Sequence, residues 1–326
     1  MNIIEVENLC KTYRITKKEE GIRGAFKNII KPTYEYKKAV KDISFSIKKG
    51  EMVGFIGPNG AGKSTTVKML SGILYPTSGT IKVNNYVPYK QRKEYVKNIG
   101  VVFGQRSQLW YDLPIVDTFQ LLKRIYKVPD KIFKENLEIF NELLGLKDFS
   151  AQPVRQLSLG QRMRAEFAAA LLHSPDIVFF DEPTIGLDVV AKQKVREFIT
   201  FINKEKGTTM LFTTHDMQDI EKTCGRIIII DKGDKVYDGS IENIKGKYGR
   251  ERVLIAEFAE KCQDLNIKDV VVADLGENKK KITFNKDKYT MGEIITQLTS
   301  KYTIVDLTVK EPEIESIICG IYEGGI

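Results

Sequence analysis

The stretch Gly57-Pro58-Asn59-Gly60-Ala61-Gly62-Lys63-Ser64-Thr65 restricts this chain more than any other. It follows the apolar run Met52 to Ile56 and opens a run of helical character, Thr66 to Leu74. The pattern G-x-x-x-x-G-K-[ST] puts glycines where the backbone must turn with positive φ and aim successive N–H groups at phosphate oxygens. The helix that follows adds its positive end. In that frame Lys63 reaches the β- and γ-phosphates of a nucleotide and Ser64 reaches a magnesium ion.

A second apolar run, Ile177-Val178-Phe179-Phe180, ends in Asp181-Glu182-Pro183. A short continuous apolar run fits a strand buried on both faces of a parallel sheet. Acids at the carboxyl end of such a strand lie beside the phosphate loop, where Asp181 holds magnesium through water and Glu182 orients or deprotonates the attacking water. Thr209 to Thr214 is a further apolar strand, ending at His215 on the edge where open α/β sheets bind ligands, so a γ-phosphate contact is expected there. His173 differs: it closes a helix before Ser174-Pro175, a place where a histidine is favoured electrostatically.

Around these stretches, Ile3 to Leu9 reads as a strand, with Tyr13 beyond it as an aromatic that stacks on an adenine ring or packs half-buried at the strand end. Residues 17 to 38 then interrupt the strand pattern. Ile22, Phe26, Ile29 and Ile30 recur at helical spacing with Arg23, Lys27 and Lys31 among them, and Pro32 as a stop. That is a short basic amphipathic helix, either packed on its own domain or lying against a membrane surface or membrane partner. Val40 to Ile47 and Thr80 to Val83 add strands, and residues 115 to 146 are helical in period. After Gln156-Leu157-Ser158-Leu159-Gly160-Gln161-Arg162 an alanine-rich helix spans Met163 to His173, and Asp188 precedes a helix from Val189 to Lys204.

Composition narrows the partners. No apolar run approaches the roughly 18 residues that span a bilayer, so the chain is expected to be soluble. Neither a basic n-region nor a long apolar h-region opens it, so no secretory signal is expected and the cytoplasm is the default. The four cysteines lie far apart without C-x-x-C spacing, and there are two histidines, which speaks against zinc or a disulfide framework. The net charge is +8. Its excess is N-terminal, with twelve Lys or Arg against six Asp or Glu in residues 1 to 50. Such a bias suits an anionic membrane surface or nucleic acid, or is a solvated face without a partner.

Taken in order, the phosphate loop, Gln105, Leu157 to Gln161, Asp181-Glu182, Gly186-Leu187-Asp188 and His215 resemble the ATP-binding subunit of an ABC transporter, over residues 1 to about 245. The fold this implies is α/β: a P-loop ATPase core with an antiparallel β subdomain and a helical insert, about 106–172. The resemblance implies ATP and Mg2+ as ligands. Two subunits, copies of one chain or of homologous chains, would close head to tail, the loop of one and Ser158, Gly160 and Gln161 of the other enclosing each γ-phosphate, with Asp188 beside them. By the same resemblance Tyr13 stacks on adenine, with Tyr34 or Tyr36 as substitutes. Gln105 is the magnesium and coupling residue, Glu182 the general base and His215 the switch residue. The usual L-S-G-G-Q stands here as Leu157-Ser158-Leu159-Gly160-Gln161, which keeps Ser158 and Gly160.

A finer resemblance, carried by the basic insert and by Ser107-Gln108-Leu109-Trp110-Tyr111, is to exporter-class ATPases whose membrane permease is a separate polypeptide. It implies a peripheral subunit on the cytoplasmic side of the membrane, with no nucleic acid as partner. The rivals are a soluble ABC ATPase acting on nucleic acid or ribosomes, and a membrane machine that transmits force without moving a solute. Only about 50 residues separate Gln105 from Leu157, too few for the long coiled coil of the nucleic-acid type. From residue 246 to 326 the composition shifts to a small α+β domain. Its strands are Arg252 to Phe258, a hairpin of Val270 to Asp274 with Lys281 to Asn285, and Thr303 to Val309; a helix spans Met291 to Tyr302. Glu311-Pro312-Glu313-Ile314 with Ile317-Ile318 resembles the terminal helix of exporter accessory domains, whose expected role is to dimerise or restrain the subunit.

Overall fold

The structure, a computed structural model, describes residues 1–17, 34–104, 106–214, 216–249, 251–262, 265–310 and 314–322. The expected basic helix with Arg23, Lys27 and Lys31, the residues Gln105 and His215, and Glu311-Pro312-Glu313 lie outside the described residues.

Among the described residues three sheets form. The first strand β1 (Asn2–Thr16) pairs antiparallel with β2 (Tyr34–Lys48) on one side and β4 (Ser78–Val83) on the other. The central sheet has the order β5 (Ile99–Phe103), β6 (Ile177–Asp181), β7 (Thr209–Thr213), β3 (Met52–Ile56), β8 (Arg226–Asp231), β9 (Asp234–Ser240). From β5 to β8 its pairings are parallel. Strands β3, β6 and β7 are buried at every residue, which is why each reads as an unbroken apolar run rather than an alternating one. The antiparallel sheet and the loop side of the central sheet share one core, in which Ile4, Leu9, Ile43 and Ile47 meet Phe55, Val67 and Ile228.

Helix α1 (Lys63–Leu70) begins and ends earlier than the expected 66–74. Gly62, at φ 109°, turns the backbone directly into the first helical turn, and Gly72, at φ 72°, ends it, with the N–H groups of Ile73 and Leu74 both donating to the Lys68 carbonyl. The short helix α2 (Arg92–Tyr95) leads into β5. Helices α3 (Ile115–Tyr126) and α4 (Asp130–Leu144) form the helical insert with α5 (Leu159–Leu171). The last starts before the expected Met163, because Ser158 and Gln161 make a reciprocal capping box. Helix α6 (Val189–Lys206) follows β6, and α7 (Met217–Thr223) follows β7.

Two expectations need correction. The insert placed at residues 17–38 is shorter, since Tyr34 to Lys38 continue β2 and pair with Thr16 to Thr12. His173 is not a charged cap. Its ring stacks on Tyr126 at 4.0 Å, its Nε2 donates to the Ile99 carbonyl at 3.1 Å, and burial pushes its pKa down to about 4.

The chain divides into two compact units, Met1–Asp238 and Gly239–Ile326. The division falls before the expected residue 245, because helix α8 (Ile241–Tyr248) buries Ile241 and Ile244 and packs on the final helix α10 (Ile314–Tyr322). The second unit holds an antiparallel sheet of order β11 (Val271–Asp274), β12 (Lys279–Asn285), β10 (Glu251–Phe258), β13 (Ile304–Lys310). Helix α9 (Met291–Thr299) covers one face through Ile294 and Leu298 against Leu254, Phe258 and Phe284.

Candidate active site

Strand β3 carries the chain to Gly57, and there the backbone of β8 crosses so closely that a Cβ at 57 would lie 2.3 Å from the Ile230 carbonyl oxygen. The loop turns through Gly60 and Gly62 at φ 83° and 109°. Lys63 folds back across it. Its Nζ donates to the carbonyls of Gly57 at 2.7 Å and Pro58 at 3.2 Å, 3.9 Å from a Glu182 carboxylate oxygen, with the side chain only 6% exposed. Burial lowers the Lys63 pKa, and the negative charges of Glu182 and then Asp181 oppose that shift.

The end of β6 completes the polar floor. Ser64 Oγ and Thr213 Oγ1 both donate to Asp181 Oδ1 at 2.9 Å. Glu182 follows with a left-handed backbone, φ 53°, held by its N–H donating to the Thr213 carbonyl at 3.0 Å. A non-glycine residue in that region costs on the order of 1–3 kcal/mol and persists where its surroundings hold it. Over these groups opens a cleft of about 620 Å³, lined by Glu182, Ile185 and loop residues from Asn59 to Thr65, and by Tyr13, Lys37 and Ala39 of the β1–β2 hairpin. Tyr13 therefore reaches the site. Tyr34 instead lies under the Arg14 guanidinium at 3.7 Å, and Tyr36 is exposed.

Ser64, which lines the cleft, and Asp181 behind it form a hydroxyl–carboxylate pair, and among the described residues no group of three or more His, Cys, Asp or Glu gathers to hold a metal. That sparse oxygen set fits a magnesium ion, which keeps water and takes further oxygens from phosphates. Ser158, Gly160, Gln161 and Asp188 are not among the residues that line the cleft. Ser158 caps α5: its Oγ accepts from the Gln161 N–H at 3.2 Å, and Gln161 Oε1 accepts from the Ser158 N–H at 2.9 Å. Asp188 caps α6, accepting from the Ala191 N–H at 2.7 Å. Ser158, Leu159, Asp188, Val189 and Val190 are all exposed.

A family model described as ABC transporter matches residues 40–185. The ABC transporter ATP-binding protein NatA of Bacillus subtilis (strain 168) is 37% identical over 207 residues, which cover 64% of this chain and 84% of NatA. The linearmycin resistance ATP-binding protein LnrL of the same organism is 32% identical over 301 residues, 90% of this chain and 96% of LnrL. The chain belongs to the ABC transporter ATP-binding proteins. A dimeric ATP-binding cassette solved in a post-hydrolysis state with ADP and Pi superposes at a TM-score of 0.60 and 27% identity, over 73% of this chain and 98% of that one. An ATP-binding subunit of an ABC transporter, at 23% identity, shares the fold at a TM-score of 0.63, over 76% of this chain and 93% of that one.

As an ABC ATPase, the chain binds and hydrolyses ATP. Of the expected site residues, the structure brings Tyr13, the loop, Asp181 and Glu182 together, and leaves Ser158, Gly160, Gln161 and Asp188 outside the cleft lining. Three contributors escaped sequence reasoning. Thr213 reads as one more residue of a buried strand, yet its hydroxyl orients Asp181. Lys37 is one basic residue among many until the register places it opposite Tyr13. The turn after β8 supports the loop from behind, with the Gly233 N–H donating to the Ala61 carbonyl at 3.1 Å; the apolar Ile227 to Ile230 run and Lys232-Gly233 were the available signal.

Proposed function

We propose that this ABC ATPase drives a separate membrane permease. In this reading two subunits close head to tail on two ATP molecules with Mg2+, at the cytoplasmic face of the membrane, and the cycle exports a compound. The division of the site carries the reading: the cleft has a phosphate cradle, the Glu182 carboxylate and the aromatic ring of Tyr13, whereas Ser158 and Gly160 begin a helix end outside it at which Ser158 is exposed. A second subunit brings that helix end to the γ-phosphate.

In the closed site the loop N–H groups and Lys63 bind the β- and γ-phosphates, and Tyr13 stacks on the adenine. Ser64 and Asp181 would hold a magnesium ion, which would neutralise charge on the phosphates. Glu182, with its backbone fixed at the strand end, orients a water and takes its proton as it attacks phosphorus. In this reading Gln105 is a further magnesium and coupling residue, and His215 contacts the γ-phosphate.

One observation favours a membrane permease as partner. Just beyond Gln105, Trp110, Tyr111, Leu113 and Val116 are exposed, an apolar group with the aromatic character of a protein-docking surface. For direction, LnrL, matched over nearly its whole length, is named for linearmycin resistance, whereas MetN 2 of Enterococcus faecalis, 32% identical over 86% of this chain and 81% of that protein, is named for methionine import. Export rests on the resemblance of the insert and of the second unit to exporter-class ATPases, and we assign the second unit to dimerising or restraining the subunit. The permease selects the compound. The experiment is purification of the chain from native membranes, identification of co-purifying membrane proteins, and transport into inside-out vesicles. ATP-driven uptake into such vesicles is expected; ATPase stimulation by DNA or ribosomes with no membrane protein attached would overturn the reading.

A further inference from the structure

The buried carboxylate of Glu166 has no part in the phosphate chemistry, yet it sits where two functional segments meet. It lies on the buried face of α5, 3% exposed, between alanines and Phe167, and no ion pair reaches it among the described residues. What it contacts is the segment that leaves Gln105. The Ser107 hydroxyl donates to one carboxylate oxygen, and the Gln108 N–H donates to the other at 3.1 Å. The Gln108 side-chain amide returns to the Glu166 backbone carbonyl at 3.0 Å. The Ser107 oxygen also accepts from the Leu109 N–H at 3.1 Å, so the segment is folded around the acid. A small cavity beside it is lined by Gly104 and Arg106 on one segment and by Arg162, directly after Gln161, on the other.

A carboxylate buried without a cation is costly unless donors satisfy it, and removing those donors leaves the full desolvation penalty. Burial accordingly raises the Glu166 pKa, while the Ser107 and Gln108 contacts counter it. Segment 107–109 and helix α5 therefore cannot part without stranding that group. We propose that Glu166 is a positioning residue: it clasps the segment after Gln105 to the helix that Ser158 and Gly160 begin, so that the two move as one body and a displacement on the partner side resets the signature. The inference rests on the reading that Ser158 and Gly160 act on the ATP of a second subunit.

The test uses the full chain and its variants Glu166→Ala, Glu166→Gln, Ser107→Ala and the double variant. Fluorescent-ATP affinity of the single subunit, ATP-dependent association in a Glu182→Gln background, and kcat are measured. Glu166→Ala should leave the affinity within about twofold while lowering kcat about ten- to hundredfold, the scale of a misplaced rather than a missing group. ATP-dependent association should weaken in parallel. Glu166→Gln, which keeps one acceptor for Ser107, should recover part of both. The double variant should be no worse than Glu166→Ala alone, as expected of partners in one contact. Additive losses, unchanged kcat and association, or affinity falling as far as kcat would each overturn the clasp. If Glu166→Ala does not fold, Ser107→Ala decides: unchanged kcat and association overturn the proposal. Ser158→Ala separates the two readings, since wild-type association in that variant would sink the shared site and not the clasp.

Discussion

Each charged residue at this site is held by one that carries no charge. Asp181 takes hydroxyls from Ser64 and Thr213, and Glu182 is fixed through its backbone to Thr213. Lys63, the nearest cation, is already shared between loop carbonyls and Glu182. If Glu182 is the general base, Glu182→Gln keeps its size and backbone but removes the proton acceptor. Turnover should then fall roughly 10²- to 10⁴-fold while ATP still binds; steady-state hydrolysis beside equilibrium ATP binding checks it, and undiminished turnover would reassign the base. His173 makes a second residue-level case, in stability rather than catalysis. Its folded pKa of about 4 lies below the ordinary 6.5. Above pH 6.5 both folded and unfolded chains hold it neutral; between 6.5 and about 4 the unfolded chain binds a proton that the folded chain does not. Stability is therefore lost as pH falls through that window, by at most about 3 kcal/mol. His173→Phe, which keeps the stack on Tyr126, should lose less stability than the wild type between those pH values. Parallel denaturation curves for the two proteins would show that His173 is not the titrating group.

Elements place these residues where the chain crosses itself, and those crossings separate what was legible in the sequence from what was not. The phosphate loop, the Asp181-Glu182 strand end and the helical insert were readable because each is a local pattern: glycines at fixed offsets, an unbroken apolar run, a helical period. The helix starts were also local. Ser158 and Gln161 stand at capping-box spacing, which starts α5 at Leu159 rather than at Met163. By contrast, the role of Thr213 depends on the parallel register that sets it beside Asp181, and that of Lys37 on a hairpin continuing past the point where its apolar alternation stops. The Ile230 carbonyl behind Gly57 comes from a strand far along the chain. No window of sequence holds those pairs. Gly104 tests the point at this scale: at the end of β5, a Cβ there would fall 2.1 Å from the Glu182 carbonyl oxygen, and backbone cannot yield as a side-chain tip does. Gly104→Ala should push the β5 and β6 ends apart and shift Glu182, lowering kcat about 10²-fold, the effect of roughly 1 Å of misplacement. The melting temperature should drop only modestly, since the core of the sheet is untouched; an unchanged kcat would mean that the strand end relaxes without moving the base.

For the whole molecule, the arrangement of the first unit makes a sharper demand than any single contact. The cleft gathers the phosphate loop, Glu182 and Tyr13, and the exposed Leu159, Val189 and Val190 follow Ser158 and Asp188 in the chain, outside that lining. Apolar residues clustered around polar caps fit a surface that is buried intermittently, as a cycle of association and release requires. If each competent site is made from the loop of one subunit and the signature of the other, two differently damaged subunits should repair each other. Lys63→Ala removes the cradle and keeps the signature; Ser158→Arg fills the signature and keeps the cradle. Each variant alone should neither hydrolyse ATP nor associate on adding it. Mixed, they form pairs in which one site has the intact loop of the Ser158→Arg subunit and the intact signature of the Lys63→Ala subunit. ATP-dependent association, followed by light scattering, should return in the mixture, with hydrolysis returning to the extent that one site suffices. A mixture that stays monomeric with ATP, while wild-type subunits associate under the same conditions, would mean that loop and signature serve the same chain.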